Sequence, residues 1–175
     1  TLRPVTPIPE ASASQTRRFQ VVWSPEACAG SEWLIRSIGA GNSNIGEHWD
    51  DLSEFPTLGD TEIWEVTNAS DMMHPFHMHL VMFQVLSRID MITGLPLPLE
   101  PWEAGTWKDT VAVGERTRVR VIAKFEDYPG RFAYHCHILE HEDHEMMRQF
   151  QTVAVTTTST TTTLPGVGIG ARKLI

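Results

Sequence analysis

Seven of the eight histidines in this sequence fall in two short runs, and the second run wraps a cysteine. HPFHMH contains His74, His77 and His79, and HCHILEHEDHEMM contains His135, His137, His141 and His144 around Cys136. A single core histidine with satisfied hydrogen bonds needs no such grouping. Histidines scattered over a surface do not surround a thiol. The fold must therefore bring two distant segments together and present their side chains with defined facing.

A thiolate and two imidazoles with a weak axial thioether form the donor set of electron-transfer copper, and imidazoles alone suit copper that meets dioxygen. Cys136, His141 and Met146 follow one another in the second run and need one more histidine from elsewhere. In a strand, neighbouring side chains face opposite ways. Cys136 then points to one side and His135 and His137 to the other, roughly 6 to 7 Å apart at two steps of the strand rise. The same alternation puts His77 and His79 on one side. His74, set off by Pro75 and Phe76, is expected to turn toward Cys136, with Pro75 stiffening that turn. Zinc also takes Cys and His, but structural zinc recruits paired cysteines and this cluster has a single thiol.

Short β-type runs recur between turn signals at 19–23, 33–38, 62–67, 81–89, 110–113, 117–123, 131–136 and 149–155. Their number and spacing predict an all-β sandwich or barrel. One stretch, 138–147, reads as a short helix. Residues 1–16, rich in proline, read as a linker or interdomain segment, 17–155 as the domain, and 156–175 as a threonine-rich tail, either linker or stalk or without function. Met72 and Met73 read as core packing, since two methionines are too few for a cuprous site.

The formal charge of -8 and the lack of a basic cluster argue against a nucleic-acid partner. No apolar run approaches the roughly 20 residues of a membrane span, and residues 1–20 lack a secretory pattern. A Cys28–Cys136 disulfide is disfavoured, because only Cys136 sits among histidines.

Three blocks in order, HPFHMHLVMFQVL, WKDTVAV and GRFAYHCHILEHEDHEMM, with LGDTEIWEVTN before them, carry a family resemblance. Over about 17–155 the chain resembles the C-terminal cupredoxin domain of multicopper oxidases, particularly spore-coat-type bacterial laccases, bilirubin oxidases and phenoxazinone-synthase-like enzymes. The resemblance implies a cupredoxin-like Greek-key β-sandwich or barrel with one short helix after the ligand cysteine. It implies that His74, Cys136 and His141 bind type 1 copper with Met146 axial, that His77 binds type 2 copper, and that His79, His135 and His137 bind the type 3 pair. Electrons from phenols, aromatic amines, bilirubin-like pigments or metal ions would enter at His141 and pass through Cys136 to His135 or His137, four of them reducing one dioxygen to two waters. Glu142 matches the family's proton relay, and Asp109 is the expected orienting partner of a ligand histidine, with Asp71 weaker. His144 matches no ligand position.

The family completes its three-copper cluster with two His-x-His pairs from an N-terminal domain, and no third motif of that kind occurs here, His48 being isolated. Another domain or subunit is thus an implied partner. The rival reading is a stand-alone electron carrier with type 1 copper only, and a third is a copper-storage cupredoxin. Copper nitrite reductases rank lower, since their cysteine is not embedded between two cluster ligands. The segment MITGLPLPLEPWEAGTW reads as a stiff surface loop or as a border of the substrate cleft. An extracytoplasmic compartment is an expectation from the resemblance alone.

Overall fold

Apolar and polar residues alternate with the period of two that a half-buried strand requires, and ten strands form among the described residues of the computed structural model. It describes residues 4–27, 30–39 and 46–154, with the backbone alone for 26, 27, 30 and 31. In chain order the strands are β1 Ala13–Ala27, β2 Gly30–Ile38, β3 Thr61–Asn68, β4 His74–Met78, β5 Phe83–Asp90, β6 Pro96–Leu97, β7 Thr110–Val113, β8 Thr117–Lys124, β9 Gly130–Cys136 and β10 Met147–Thr152. A five-residue helix, α1 Leu139–Asp143, lies between the last two. One sheet has the order β2-β1-β3-β8-β5-β6 and the other β10-β9-β4-β7. All pairs are antiparallel except β1 with β3.

The inner faces of the two sheets close over an aromatic core. Phe19, Trp64, Phe125, Tyr134 and Phe150 are fully buried, with ring centroids 4.7 Å apart for Phe19 and Trp64 and 5.1 Å for Trp64 and Tyr134. Burying an apolar side chain of this size stabilises the fold by about 1.5–3 kcal/mol. Tyr134 and Cys136 share this inward face of β9 by strand parity.

Polar groups are also buried. Arg148 on β10 donates to the Asp51 carbonyl at 2.8 Å and to Ser53 Oγ at 2.7 Å, and its guanidinium lies 3.3 Å from both Glu47 and Glu54. The Tyr134 hydroxyl donates to Glu54 at 2.9 Å. Burial raises the Glu47 carboxyl above its usual range, opposed by the Ser37 N–H and by Arg148. Residues 46–57 are thereby fastened across β10.

Several details differ from the sequence reading. β1 starts at Ala13, so 13–16 pair with β3 instead of linking, with Ala13 opposite Thr61. Upstream, Ile8 N–H donates to Gln84 Oε1 and Gln84 Nε2 donates to the Thr6 carbonyl, both at 2.9 Å, which holds that stretch against β5. β4, which contains the first histidine run, is an additional strand, and β6 is a two-residue one. The helix is half the length expected, because His144 leaves helical geometry and Glu145 adopts φ 99°. The threonine-rich tail and Cys28 lie outside the described residues. No helix among them is long and apolar enough to cross a membrane.

Candidate metal centre

β4 and β9 are neighbours in register, with Phe76 opposite Cys136 and His77 opposite His135. Along β4 the even positions His74, Phe76 and Met78 are buried and the odd ones are half-exposed. The turn expected at Pro75 is not formed. Pro75 sits in the strand opposite Ala112, and its carbonyl accepts the His137 N–H at 2.8 Å. No turn is needed, since three steps along a strand already reverse the facing of a side chain.

On the core side, Cys136 Sγ lies 3.8 Å from His74 Nδ1 and 3.6 Å from His141 Nδ1. These separations suit ligands held roughly 2.0–2.3 Å from one metal ion. α1 carries His141 back toward the strand, and the chain then returns so that the Cys136 N–H donates to the Met146 carbonyl at 3.0 Å. Met146 is buried and lines the same small cavity as His74 and Cys136, with Val21, Ile35 and Val113 among its walls. Trp33 of β2 covers both imidazoles, its ring centroid 4.7 Å from that of His74 and 5.4 Å from that of His141.

Hydrogen bonds fix which nitrogen faces the sulfur. Asn68 is fully buried, and its amide donates to the carbonyls of Met72, Val113 and Gly114. Its Oδ1 accepts the Ser70 hydroxyl at 2.7 Å. With that proton committed, Ser70 Oγ meets His74 Nε2 at 3.1 Å as an acceptor. His74 then carries its proton on Nε2 and turns the Nδ1 lone pair to the sulfur. Burial, and then the nearby His141, lowers the His74 pKa to about 4, and burial lowers that of His141 as well. Burial pushes the Cys136 thiol up to about 11, against the Ile138 N–H that favours the thiolate. Two neutral imidazoles beside a thiol that ionises only with help are a cation site in waiting, because a bound metal displaces the thiol proton.

On the opposite face, His77, His79 and His135 bring their ligand nitrogens within 4.8 Å of one another. His79 Nε2 and His135 Nε2 are 3.3 Å apart. His137 joins by its ring, 5.4 Å from that of His77 and 5.5 Å from that of His135. His77 Nδ1 donates to the Asp109 carbonyl and to Thr110 Oγ1, each at 2.9 Å, which frees Nε2 for a metal. His135 Nδ1 is 3.0 Å from the Cys136 carbonyl and 3.4 Å from Glu142 Oε2. Burial lowers the pKa of both His77 and His79. His79 and His137 are exposed, so this group opens outward.

Every residue singled out in the sequence as a ligand lies at one of these two groups. Asp109 hydrogen-bonds His77 through its main-chain carbonyl, its carboxylate acting on that ring by charge alone. Asp71 pairs with Arg116, and His144 sits exposed at the end of α1, outside both groups. His48 joins neither group, and its Nδ1 lies 3.6 Å from Glu145. The proline-rich segment includes exposed Trp102 and also buried Glu103, which pairs with Arg88. Trp33, Asn68, Ser70 and Thr110 are not legible as supports: Thr110 acts across the pairing of β4 with β7, Trp33 and Asn68 act from one sheet on the other, and Ser70 acts through the turn before β4.

The sequence and the fold are similar to those of known proteins. The sequence profile of the multicopper oxidase family matches residues 32–155. The chain is 48% identical to a laccase of Haloferax volcanii over 58% of its own length and 17% of that protein. It is 43% identical to a laccase of Bacillus subtilis over 58% of the chain and 22% of the relative. A bilirubin oxidase of Albifimbria verrucaria is 32% identical over 85% of the chain and 24% of the relative. Among solved structures, a multicopper oxidase of Aquifex aeolicus superposes with a TM-score of 0.67 at 30% identity, covering 86% of this chain and 32% of that one. The chain thus spans about a quarter or less of these curated relatives, and the sandwich is cupredoxin-like. A buried thiol between two imidazoles, backed by a second set of imidazoles on the other face of the same strands, is a copper-binding arrangement, and this chain belongs to the multicopper oxidase family.

Proposed function

We propose that the chain is the copper-bearing domain of a laccase-like oxidase that couples one-electron oxidation of small phenols, aromatic amines or metal ions to the four-electron reduction of dioxygen to water. The observation that carries this is the facing of one strand: Cys136 looks into the core at His74 and His141, while His135 and His137 beside it look outward at His77 and His79. Type 1 copper would be held by His74, Cys136, His141 and Met146, type 2 copper by His77, and the type 3 pair by His79, His135 and His137. Bound there, copper would supply one-electron redox chemistry at the inner residues and oxygen-reducing chemistry at the outer ones.

The residues of the chain prepare this chemistry. Cys136 is bonded through its own backbone to both outer histidines, so the two groups are separated by a few covalent bonds. Glu142, 3.4 Å from His135 Nδ1 and about one-quarter exposed, is placed to hold a proton at Oε2 between solvent and the outer imidazoles. Trp23, Trp33, Ser70, Asp71 and Met72 line an open hollow of about 460 Å³ next to the inner imidazoles, a surface on which a flat donor can lie. The exposure of His79 and His137 supports a second cupredoxin domain that brings two His-x-His pairs, in which case residues 17–155 form one domain of a larger oxidase.

A carrier with type 1 copper alone leaves the outer imidazoles without a role. Copper titration separates the two readings. An oxidase domain takes up one intensely absorbing copper and additional copper that broadens the ring resonances of His77, His79, His135 and His137, and with its partner domain it consumes oxygen when given a phenol. Uptake of a single copper that leaves those four rings unperturbed would return the chain to the carriers.

A further inference from the structure

Met146 ends the loop that begins at Cys136, and the residue before it is strained. Glu145 has φ 99°, in the left-handed region that a side chain other than glycine rarely adopts. Such a conformation persists where surrounding contacts over-determine it. Besides the Glu145 N–H, which donates to the Glu142 carbonyl at 3.3 Å, those contacts come from residues 46–54, which pass alongside. The Glu145 carboxylate accepts the Trp49 N–H at 3.0 Å and lies 3.6 Å from His48 Nδ1. The Trp49 carbonyl accepts Gln149 Nε2 at 3.0 Å. Arg148, fully buried, donates to the Asp51 carbonyl and Ser53 Oγ. Both polar groups of the Trp49 main chain are therefore gripped by side chains on either side of Met146.

We propose that residues 46–54 are a brace that sets the position of the Met146 thioether, with Glu145 as the positioning residue that transmits it through its left-handed backbone. The inference rests on the assignment of Met146 as the axial ligand of type 1 copper and deepens it. The axial ligand tunes the potential and the colour of such a site. A small displacement of Met146 is therefore read electronically, even where the fold is unchanged. Glu145 touches neither copper nor substrate, so its action is wholly indirect.

The test uses the full chain in copper-free and copper-loaded forms, with Glu145→Ala, Glu145→Gly and Glu145→Gln. Amide exchange at Trp49 in the copper-free form reports the grip. The type 1 reduction potential and the thiolate-to-copper absorption report the consequence. Losing a hydrogen bond to a charged acceptor is expected to speed Trp49 exchange about tenfold in the Ala and Gly variants, with a shifted potential and band, while Gln, which keeps an acceptor oxygen, restores both. If Ala does not fold, Gly carries the test, since it removes the same carboxylate and relieves the backbone strain.

Faster Trp49 exchange with unchanged potential and band overturns the proposal, leaving a structural fastening only. Unchanged Trp49 exchange overturns it as well, because the grip is then not made. A wild-type chain that shows no thiolate-to-copper band sinks the copper assignment itself and the brace with it, an outcome read on the wild type before any variant and so distinct from the other two.

Discussion

The two histidine groups lie on opposite faces of the same two strands and are built on opposite plans. The inner group is dry: His74 and Cys136 are 1% exposed and Met146 2%, an indole covers the imidazoles, and Ser70, held by the buried Asn68, fixes the ring of His74. The outer group is open, with His79 and His137 at the surface and His77 oriented by the Asp109 carbonyl and the Thr110 hydroxyl. The difference suits the roles proposed for the two groups. A centre that only passes electrons gains from a rigid shell that holds its ligands still, whereas a centre that meets another domain and a diffusing gas must remain accessible. Rigidity and access are obtained from one strand by the alternation of its side chains.

The strongest way to break this contrast is Cys136→Ser, which removes the only thiol of the inner group. It is expected to abolish the intense absorption of the copper-loaded chain while copper still perturbs the outer ring resonances, measured by absorption and NMR on the same sample. Loss of copper at both faces would show that the two groups do not bind independently.

A second difference should appear in acid, without copper. The folded-state pKa of His74 is lowered to about 4 from an ordinary 6.5. Between those values the unfolded chain binds a proton that the folded chain refuses, so stability is full above about 6.5 and falls as the pH drops toward 4. The loss is on the order of 2 kcal/mol once solvent screening is allowed for. His77, His79 and His141 are shifted in the same direction and add to the trend. Urea denaturation from pH 7 to 4 measures the slope, and His74→Gln should flatten it; an unchanged slope would mean that His74 is solvated in the folded chain.

Smaller effects sharpen the comparison. Ser70→Ala leaves His74 Nε2–H without its acceptor and is expected to weaken inner copper about 10- to 100-fold, the usual effect of removing a partner that orients a ligand imidazole, with outer copper unaffected. Competition against a chelator reads both affinities. Asp109→Asn is expected to change neither, since His77 is oriented by the main-chain carbonyl that the substitution keeps. A large loss of outer copper in that variant would restore the carboxylate as the orienting group.

These expectations also mark how far the sequence could be read. The ligand types, the opposite facing of Cys136 and its neighbours, and the two-sheet class follow from the histidine runs and the period-two pattern, which are local. The short strand at His74–Met78 was missed because its histidines and proline disguise it, and its stability comes from β7 and β9 on either side, not from its own propensity. Thr110 and Glu145 are hidden for a related reason. Each acts on a partner fixed by strand register or by a long loop, and register is a property of the pairing and not of either segment alone.

The Asn68 amide has one more consequence. Asn68–Ala69–Ser70 has the Asn-x-Ser pattern that secretory pathways of higher cells decorate with a glycan, yet in the folded chain its nitrogen is spent on three carbonyls and has no room for sugar. A glycan can be attached there only before folding, and a chain so decorated loses the hydroxyl geometry behind His74. Secretion from a yeast or animal host would therefore divide the product into an unglycosylated coloured fraction and a glycosylated colourless one, and Asn68 would report on how fast the domain closes.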